Sequence, residues 1–412
     1  MREHQPRVTF IGLNYAPEPT GIAPYTAGLA SGLAQLGIGV KVITAYPHYP
    51  AWKIARGYAG RTIREQLNGV MLTRVRPYMP SNPAGLRRMA VEIWFGIRST
   101  FAVWGRPDVV ILVSPALFAV LIAVVRARLS PRRPRVIIWV QDLYSLGVTE
   151  TGVLGSVGAR VMTSIEAKTL GAADVVVSIH DRFKKYIVNS LGVAPHSVEV
   201  VRNWTHITPV ESNRAEYRSK FSWGDEIVVL HAGNMGAKQA LENVVTAAKL
   251  ADSAKARIRF VLLGDGNQRE SLVELGTSVD RLDFMGSLSD SDFQGAMAAA
   301  DILLVNEKPG VTEMAVPSKL TSYFAAARPV IVATDAGSIT AEEIETTNAG
   351  VRVDAGNPQA LLDAALALGS DAKLCRFYGE NGAAFQLRVL SPDGAISHYA
   401  EIIKSLAGKR GL

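Results

Sequence analysis

The sequence predicts an α/β protein made of two Rossmann-like, doubly wound domains facing across a cleft. Three observations carry this expectation. A strand, a turn and an amphipathic helix recur in that order along the chain. The strands are short β-branched apolar runs without strict alternation, as parallel strands covered on both faces are. The length, 412 residues, is more than one compact core normally holds.

In the first half the strands read RVTFIGL, GVKVITA, GVMLTRV, DVVILVS, RVIIWVQ and DVVVSI. In the second half they read EIVVLHAG, IRFVLLGDG, LDFMG, DILLVN, PVIVAT and AGVRVD. Helical patterns lie between them, among them 26–36, 239–251 and 358–368. The apolar run from Val109 to Val125 falls short of the roughly 20 residues a spanning helix needs, and Ser114-Pro115 punctuates it, so it reads as a buried strand followed by a buried helix. A polar seam from Asn203 to Trp223 interrupts the alternation. The predicted division is an acceptor-side domain over 1–205, a donor-side domain over 206–385, and a last helix over 386–412 that packs back toward the first domain.

The formal charge of +7 is unevenly spread. Residues 1–205 hold 24 Lys+Arg against 11 Asp+Glu, and the remainder holds 20 against 26. A basic half favours phosphates, lipid headgroups or nucleic acid, and a merely solvated basic surface is the bland alternative. No nucleic-acid-binding module is recognisable, so nucleic acid is not an expected partner. The stretch from Met71 to Trp104 mixes Arg74, Arg76, Arg87 and Arg88 with Trp94, Phe95 and Trp104. It reads either as a peripheral dock for anionic lipid or as a core helix beneath a basic loop. The single cysteine, Cys375, allows no intramolecular disulfide, and no apolar leader precedes the first strand. A cytoplasmic protein, working at the inner face of the membrane, is expected.

Several loops at strand ends can carry chemistry. Gly21 and Ile22 precede a helix after a proline-rich loop, where backbone N–H groups can approach an anion. Gly233, Asn234 and Gly236 form a permissive loop ahead of Lys238, a cation placed to neutralise a diphosphate. Gly264, Asp265 and Gly266 make a turn that can close over a base or ribose. Glu313 leads to Ser318, Lys319 and Leu320 at a further helix start, where Ser318 can cap the helix, Lys319 can meet a phosphate and Glu313 can hold a sugar diol. Asp142, after Gln141 at a strand end, can orient or deprotonate an acceptor hydroxyl. Each also has a plain reading as a turn, a cap or a surface charge. Asp290 and Asp292 open a helix and read as capping residues. The histidines lack ligand spacing, so neither a metal nor another cofactor is expected.

Together, the stretches YAPEPTGIAPYTAGLASGLAQLGIGVKVITAYPHYP, WVQDLY, HAGNMGAKQALENVV, VLLGDGNQRESL and VPSKLTSYFAAARPVIVA resemble the retaining family 4 glycosyltransferases. The closest resemblance is to the exopolysaccharide branch with its colanic-acid-type fucosyltransferases. It spans Arg7 to about Leu368. It implies the GT-B fold, a nucleotide-diphosphate sugar donor on the C-terminal domain, and an acceptor on the N-terminal one. By the same resemblance Gly21 and Ile22 match the loop near the donor phosphates, Lys238 the diphosphate-binding lysine, and Gly264 to Gly266 the turn by the nucleoside. Asp142 matches the aspartate of a His-Asp pair whose histidine is Gln141 here. The usual pair of glutamates falls on Met314 and Ser322, leaving Glu313 one residue off as a substitute.

The implied reaction is hexosyl transfer with retention, to a glycan or polyprenyl-diphosphate-linked acceptor, in cell-surface polysaccharide synthesis. Asp142, Lys238 and Glu313 are its expected catalytic residues, with Gly233, Asn234, Asp265, Ser318, Lys319 and Leu320 completing the donor site. No convincing carboxylate nucleophile is evident, which favours a front-face path in which the leaving phosphate takes the acceptor proton. A nucleotide-sugar epimerase on the same fold, or a non-catalytic nucleotide-sugar-binding protein, are the alternatives.

Overall fold

A computed structural model describes residues 5–18, 21–49, 51–80, 85–151, 155–205, 213–311 and 318–408. The chain divides into two compact units, Met1–His206 with Pro392–Leu412, and Ile207–Ser391.

The first unit holds β1 (Arg7–Ile11), β2 (Gly39–Ala45), β3 (Thr62–Leu67), β4 (Val70–Val75), β5 (Val109–Ser114), β6 (Arg135–Val140), β7 (Val175–Ser178) and β8 (Val198–Val200). They form one sheet in the order β3-β4-β2-β1-β5-β6-β7-β8. Every ladder is parallel except β3 with β4. All six residues of β5 are buried, which is why its sequence is a continuous apolar run rather than an alternating one. The rest of the Val109–Val125 run lies in the helix Leu117–Leu129. Among the described residues no helix is long and apolar enough to cross a membrane.

The helix Pro392–Gly408 returns to this first unit. Its Tyr399 ring lies 5.4 Å from Trp139, which in turn stacks on Trp204 at 6.0 Å. Ile396 packs against Gly32 so closely that a Cβ there would meet its Cδ1 at 2.4 Å.

The second unit holds β9 (Ile227–Ala232), β10 (Ile258–Leu263), β11 (Leu282–Met285), β12 (Ile302–Asn306), β13 (Val330–Ala333) and β14 (Gly350–Val353). Their order is β11-β10-β9-β12-β13-β14 and all are parallel. This is the strand order of a Rossmann sheet. Successive residues feed opposite faces: Val229, Phe260, Leu262 and Leu304 enter one core, and Val228, Leu230, Val261 and Leu303 the other. The helix Ala372–Val389 covers this unit, with Phe385 edge-on to Phe324 at 5.9 Å.

All the strands read from the sequence form. Two more, β3 and β8, were not legible. Strand β3 is a charged edge hairpin arm, exposed or half-buried along its length, and β8 has three residues. The helix at Asp290 is capped by Ser289, whose Oγ accepts from Asp292 N at 3.2 Å, while the Asp292 carboxylate pairs with Lys220 at 2.6 Å. The capping residue is therefore the serine before the two aspartates.

Candidate functional site

In a doubly wound sheet, ligands sit beyond the carboxyl ends of the strands, where the strand order reverses. In the second unit that point lies between β9 and its neighbour β12. The loops around it are bonded into one frame. Met235 N donates to Asp265 O at 2.8 Å, and Gln268 N donates to Met235 O at 3.0 Å. Lys308 N donates to Lys238 O at 2.8 Å, joining the loop after β12 to the loop after β9. Asn306 Nδ2 donates to Gln239 O at 2.8 Å, and its Oδ1 accepts from Asn243 Nδ2 at 2.8 Å.

Lys319 enters this frame from the first turn of the helix Ser318–Ala325. A Cβ on Gly233 would lie 2.7 Å from Lys319 Cε and 3.7 Å from its Nζ, and Gly233 has φ +136°. Only glycine suits both the backbone and the approaching lysine. Burial pushes the Lys319 ammonium down to about 8, against the pull of the Glu307 carboxylate. Glu307, just past β12, accepts hydrogen bonds from Thr334 Oγ1 at 2.5 Å and Thr340 Oγ1 at 2.7 Å. Burial raises its pKa, while the two hydroxyls and Lys319 oppose the rise. Beneath them, His231 is fully buried and held neutral, its pKa driven down to about 3 by burial and then by Lys319. Its Nδ1 lies 3.2 Å from Leu304 O. Tyr323 OH accepts from Ala232 N at 2.9 Å and fixes the helix against the end of β9. The result is one cation held at the switch point over an uncharged floor, with its carboxylate neighbour already bonded to two hydroxyls.

The expected residues fall out as follows. Gly233, Asn234, Gly264, Asp265, Gly266, Lys238 and Lys319 all lie on loops or a first turn at the carboxyl edge of this sheet. Lys238 is exposed on a short turn, Ala237–Gln239, ahead of the helix Glu242–Ser253 rather than at its start. The Asn234 side chain reaches Gln239 Oε1 at 3.4 Å, and Asp265 Oδ1 accepts from Gly266 N at 2.8 Å. The side chain of Leu320 is buried in the core with Val305 and Phe324, so it can offer a ligand only its backbone. Glu313 and the side chain of Ser318 lie outside the described residues. Glu307, Thr334, Tyr323 and His231 escaped the sequence reading. Glu307 directly follows the strand DILLVN, but its meeting with Lys319, Thr334 and Thr340 shows only in the fold.

In the first unit, Gly21 and Ile22 precede the helix Ala23–Gln35, and Ile22 O accepts from both Thr26 N and Thr26 Oγ1 at 2.9 Å. Gln141 and Asn203 form a reciprocal amide pair, Gln141 Nε2 to Asn203 Oδ1 at 3.1 Å and Asn203 Nδ2 to Gln141 Oε1 at 2.8 Å. A locked amide neither gives nor takes a proton at the working pH. Asp142 Oδ1 accepts from Leu143 N at 2.9 Å. The helix Tyr144–Thr151 is capped from a distance by buried Glu166, which accepts from Tyr144 N at 2.8 Å and Ser145 N at 3.0 Å.

The basic aromatic stretch is redistributed by the fold. Arg74 is buried and bonded to Glu65 at 2.6 Å, and Phe95 and Trp104 are core residues, so these three cannot face a membrane. The exposed apolar side chains of the stretch are instead Met71, Tyr78, Leu86, Trp94, Ile97, Phe101 and Val103, with Val125 and Leu129 on the adjoining helix. Among the described residues no cluster of His, Cys, Asp and Glu suited to a metal ion is found.

A model of the glycosyl transferase 4-like domain matches residues 20–204, and one of the glycosyl transferases group 1 matches residues 226–371. The chain is 28% identical over 347 residues to the putative colanic acid biosynthesis glycosyl transferase WcaI of Escherichia coli K12, covering 80% of this chain and 84% of that one. It is 26% identical over 285 residues to the probable glycosyltransferase WbjE of Pseudomonas aeruginosa, covering 67% and 70%. Its fold is similar to that of sucrose-phosphate synthase from Thermosynechococcus elongatus, with a TM-score of 0.75 at 16% identity over 98% of this chain and 100% of that one. HepE of Anabaena, solved with UDP, matches with a TM-score of 0.69 at 13% identity over 97% and 100%.

Proposed function

The chain belongs to the family 4 type of glycosyltransferases, and from that premise we propose that it moves a hexosyl unit from a nucleotide-diphosphate donor to a glycan or polyprenyl-diphosphate-linked acceptor in cell-surface polysaccharide synthesis, with retention of configuration. The observation that carries the reading is Lys319 set into the crook of Gly233 at the switch point. A departing diphosphate needs its growing charge met by fixed positive groups. Lys319 supplies one beside the glycine turns, and Lys238 a second on the loop bonded to Lys308. The neutral imidazole of His231 avoids adding a second buried charge beneath them.

The second unit takes the donor in this reading, and the first takes the acceptor. Gln141 cannot assist by proton transfer, which favours a path in which the leaving phosphate accepts the acceptor's proton. HepE, a neighbour in fold, was solved with UDP and with UDP-glucose, which supports a donor of this class. The exposed apolar set from Leu86 to Leu129, together with exposed Arg87 and Arg88, supports contact with an anionic bilayer carrying the acceptor.

The test is incubation of the full chain with labelled nucleotide-diphosphate sugars and a membrane extract. Transfer of label to a lipid or glycan fraction is expected, lost at least a hundredfold in Lys319→Ala and reduced in Lys238→Ala. Unchanged turnover and donor affinity in both variants, or epimerised donor without transfer, refutes the reading.

A further inference from the structure

A surface helix normally turns one apolar face to the core and a polar one to water. The helix Leu86–Thr100 departs from this rule. Its buried side holds Val91, Glu92, Phe95, Gly96 and Ser99. Gly96 sits so close to the helix Leu117–Leu129 that a Cβ there would lie 2.9 Å from Ile122 Cδ1 and 3.0 Å from Ala119 Cα. That contact fixes which side faces the core. On the other side, Leu86, Ala90, Trp94, Ile97 and Phe101 follow at steps of four, four, three and four residues, and all five are exposed. At 3.6 residues per turn they fall within an arc of about 80°, opposite the buried residues. The Trp94 indole N–H already donates to Arg76 O at 3.3 Å, which leaves the apolar body of the ring as its exposed part. Thr100, which precedes Phe101, joins Leu121, Ile122, Val125, Leu129 and Pro131 in lining an open, mostly apolar groove of about 700 Å³. The groove carries the apolar surface on to the next helix.

The charge beside this stripe has one sign. Residues 85–135 hold nine arginines, no lysine and two carboxylates, Glu92 and Asp108. Both carboxylates are buried, whereas Arg87, Arg88, Arg106, Arg132 and Arg133 are exposed. Keeping Glu92 inside is costly: burial pushes its carboxyl up to about 7, against the pull of Arg88 at 3.6 Å. The segment thus shows the solvent arginines and apolar side chains and no acidic group. A second copy of the chain would set arginine against arginine, which opposes self-association through this face. A nucleic-acid backbone would meet the arginines and leave the apolar line in water. An anionic bilayer answers both, with phosphates for the guanidinium groups and acyl chains for the stripe.

We propose that the helix Leu86–Thr100 lies flat in the boundary between headgroups and acyl chains of an anionic bilayer, with the line from Leu86 to Phe101 turned into the lipid. Its fifteen residues make a rod about 22 Å long, which rests within one leaflet along its whole length. The ligand is the anionic phospholipid itself, so the dock works with neither acceptor nor donor present. The inference deepens the membrane contact of the transferase reading and rests on that reading only for the purpose the contact serves.

The test mixes the full chain with vesicles of phosphatidylcholine, with and without phosphatidylglycerol, and adds no sugar or nucleotide. Binding to the anionic vesicles is expected, at least tenfold weaker to the neutral ones. Ile97→Glu sets a carboxylate in the middle of the stripe and should cut anionic binding at least tenfold, with thermal unfolding unchanged. Should Ile97→Glu not fold, Leu86→Glu, at a site 74% exposed, decides in its place. Phospholipid brominated on its acyl chains should quench the tryptophan fluorescence, and Trp94→Phe should remove at least half of that quenching. No binding to anionic vesicles by the unsubstituted chain, equal binding by a folded glutamate variant, or quenching untouched by Trp94→Phe overturns the dock. A lipid-free dimer that Ile97→Glu dissolves also overturns it, in favour of a second copy of the chain. Vesicle binding without sugar transfer to a membrane extract sinks the transferase reading and leaves the dock standing, and transfer without vesicle binding does the reverse.

Discussion

The α-carbon of Gly264 is pressed against the carbonyl of Gly233, so that a methyl group on Gly264 would stand 2.1 Å from that oxygen. Gly264 also has φ +130°, outside the range of ordinary residues. Gly264→Ala is expected to lower stability by at least about 2 kcal/mol, because both the contact and the dihedral must yield. Urea denaturation of the two forms measures this. A loss under about 0.5 kcal/mol would mean that the two turns separate easily.

The pH dependence of donor binding follows from Lys319. Its pKa of about 8 in the free protein means that the ammonium is charged at pH 7 and largely neutral at pH 9. A diphosphate prefers the charged form, so affinity should be full below about pH 7, halve by pH 8 and fall by about a further fifteenfold by pH 9.5. Titration calorimetry with a nucleoside diphosphate reads the slope. Lys319→Met should bind weakly and show a flat profile over the same range.

Glu307→Gln removes the carboxylate that opposes the effect of burial on Lys319. The lysine should then lose its proton at lower pH, moving the midpoint of the binding profile down by about one unit. The amide oxygen can accept one of the two bonds from Thr334 and Thr340, and the amide NH2 can donate to the other hydroxyl, so folding should be preserved. An unmoved midpoint would remove Glu307 from the electrostatics of the site.

What the sequence made legible has a physical pattern. The buried parallel strands announced themselves because both faces of each need apolar side chains, as Val109 to Ser114 do. The glycine turns were legible because positive φ and close approach leave little choice of residue. Edge strands β3 and β8 were not, since a half-solvated edge asks little of its side chains. The partners of Lys319 were hidden for another reason. Glu307, Thr334 and Thr340 come from separate segments and meet only because β12 and β13 are neighbours. Likewise Arg74 looked like a surface charge until β3, which supplies Glu65, was seen to cover it.

Membrane contact is expected to depend on the exposed apolar residues Phe101 and Leu129 and not on Arg74. Phe101 is 84% exposed and Leu129 79% exposed. Replacing both with serine should weaken binding to vesicles containing anionic phosphatidylglycerol by about thirtyfold or more, since each side chain contributes about 1–2 kcal/mol when taken out of water. Neutral phosphatidylcholine vesicles should bind less in either form. Equal binding of the two proteins to anionic vesicles would exclude this face as the dock.

The return of the helix Pro392–Gly408 to Trp139 makes the second unit an insertion within the first. On a ribosome, residues 207–391 emerge as one uninterrupted stretch and can fold as they appear, whereas the first unit stays unfinished until the helix Pro392–Gly408 has emerged. A chain cut short before Tyr399 would leave the Trp139 indole without one of its two aromatic neighbours, so the first unit gains its full stability only after the second has been made.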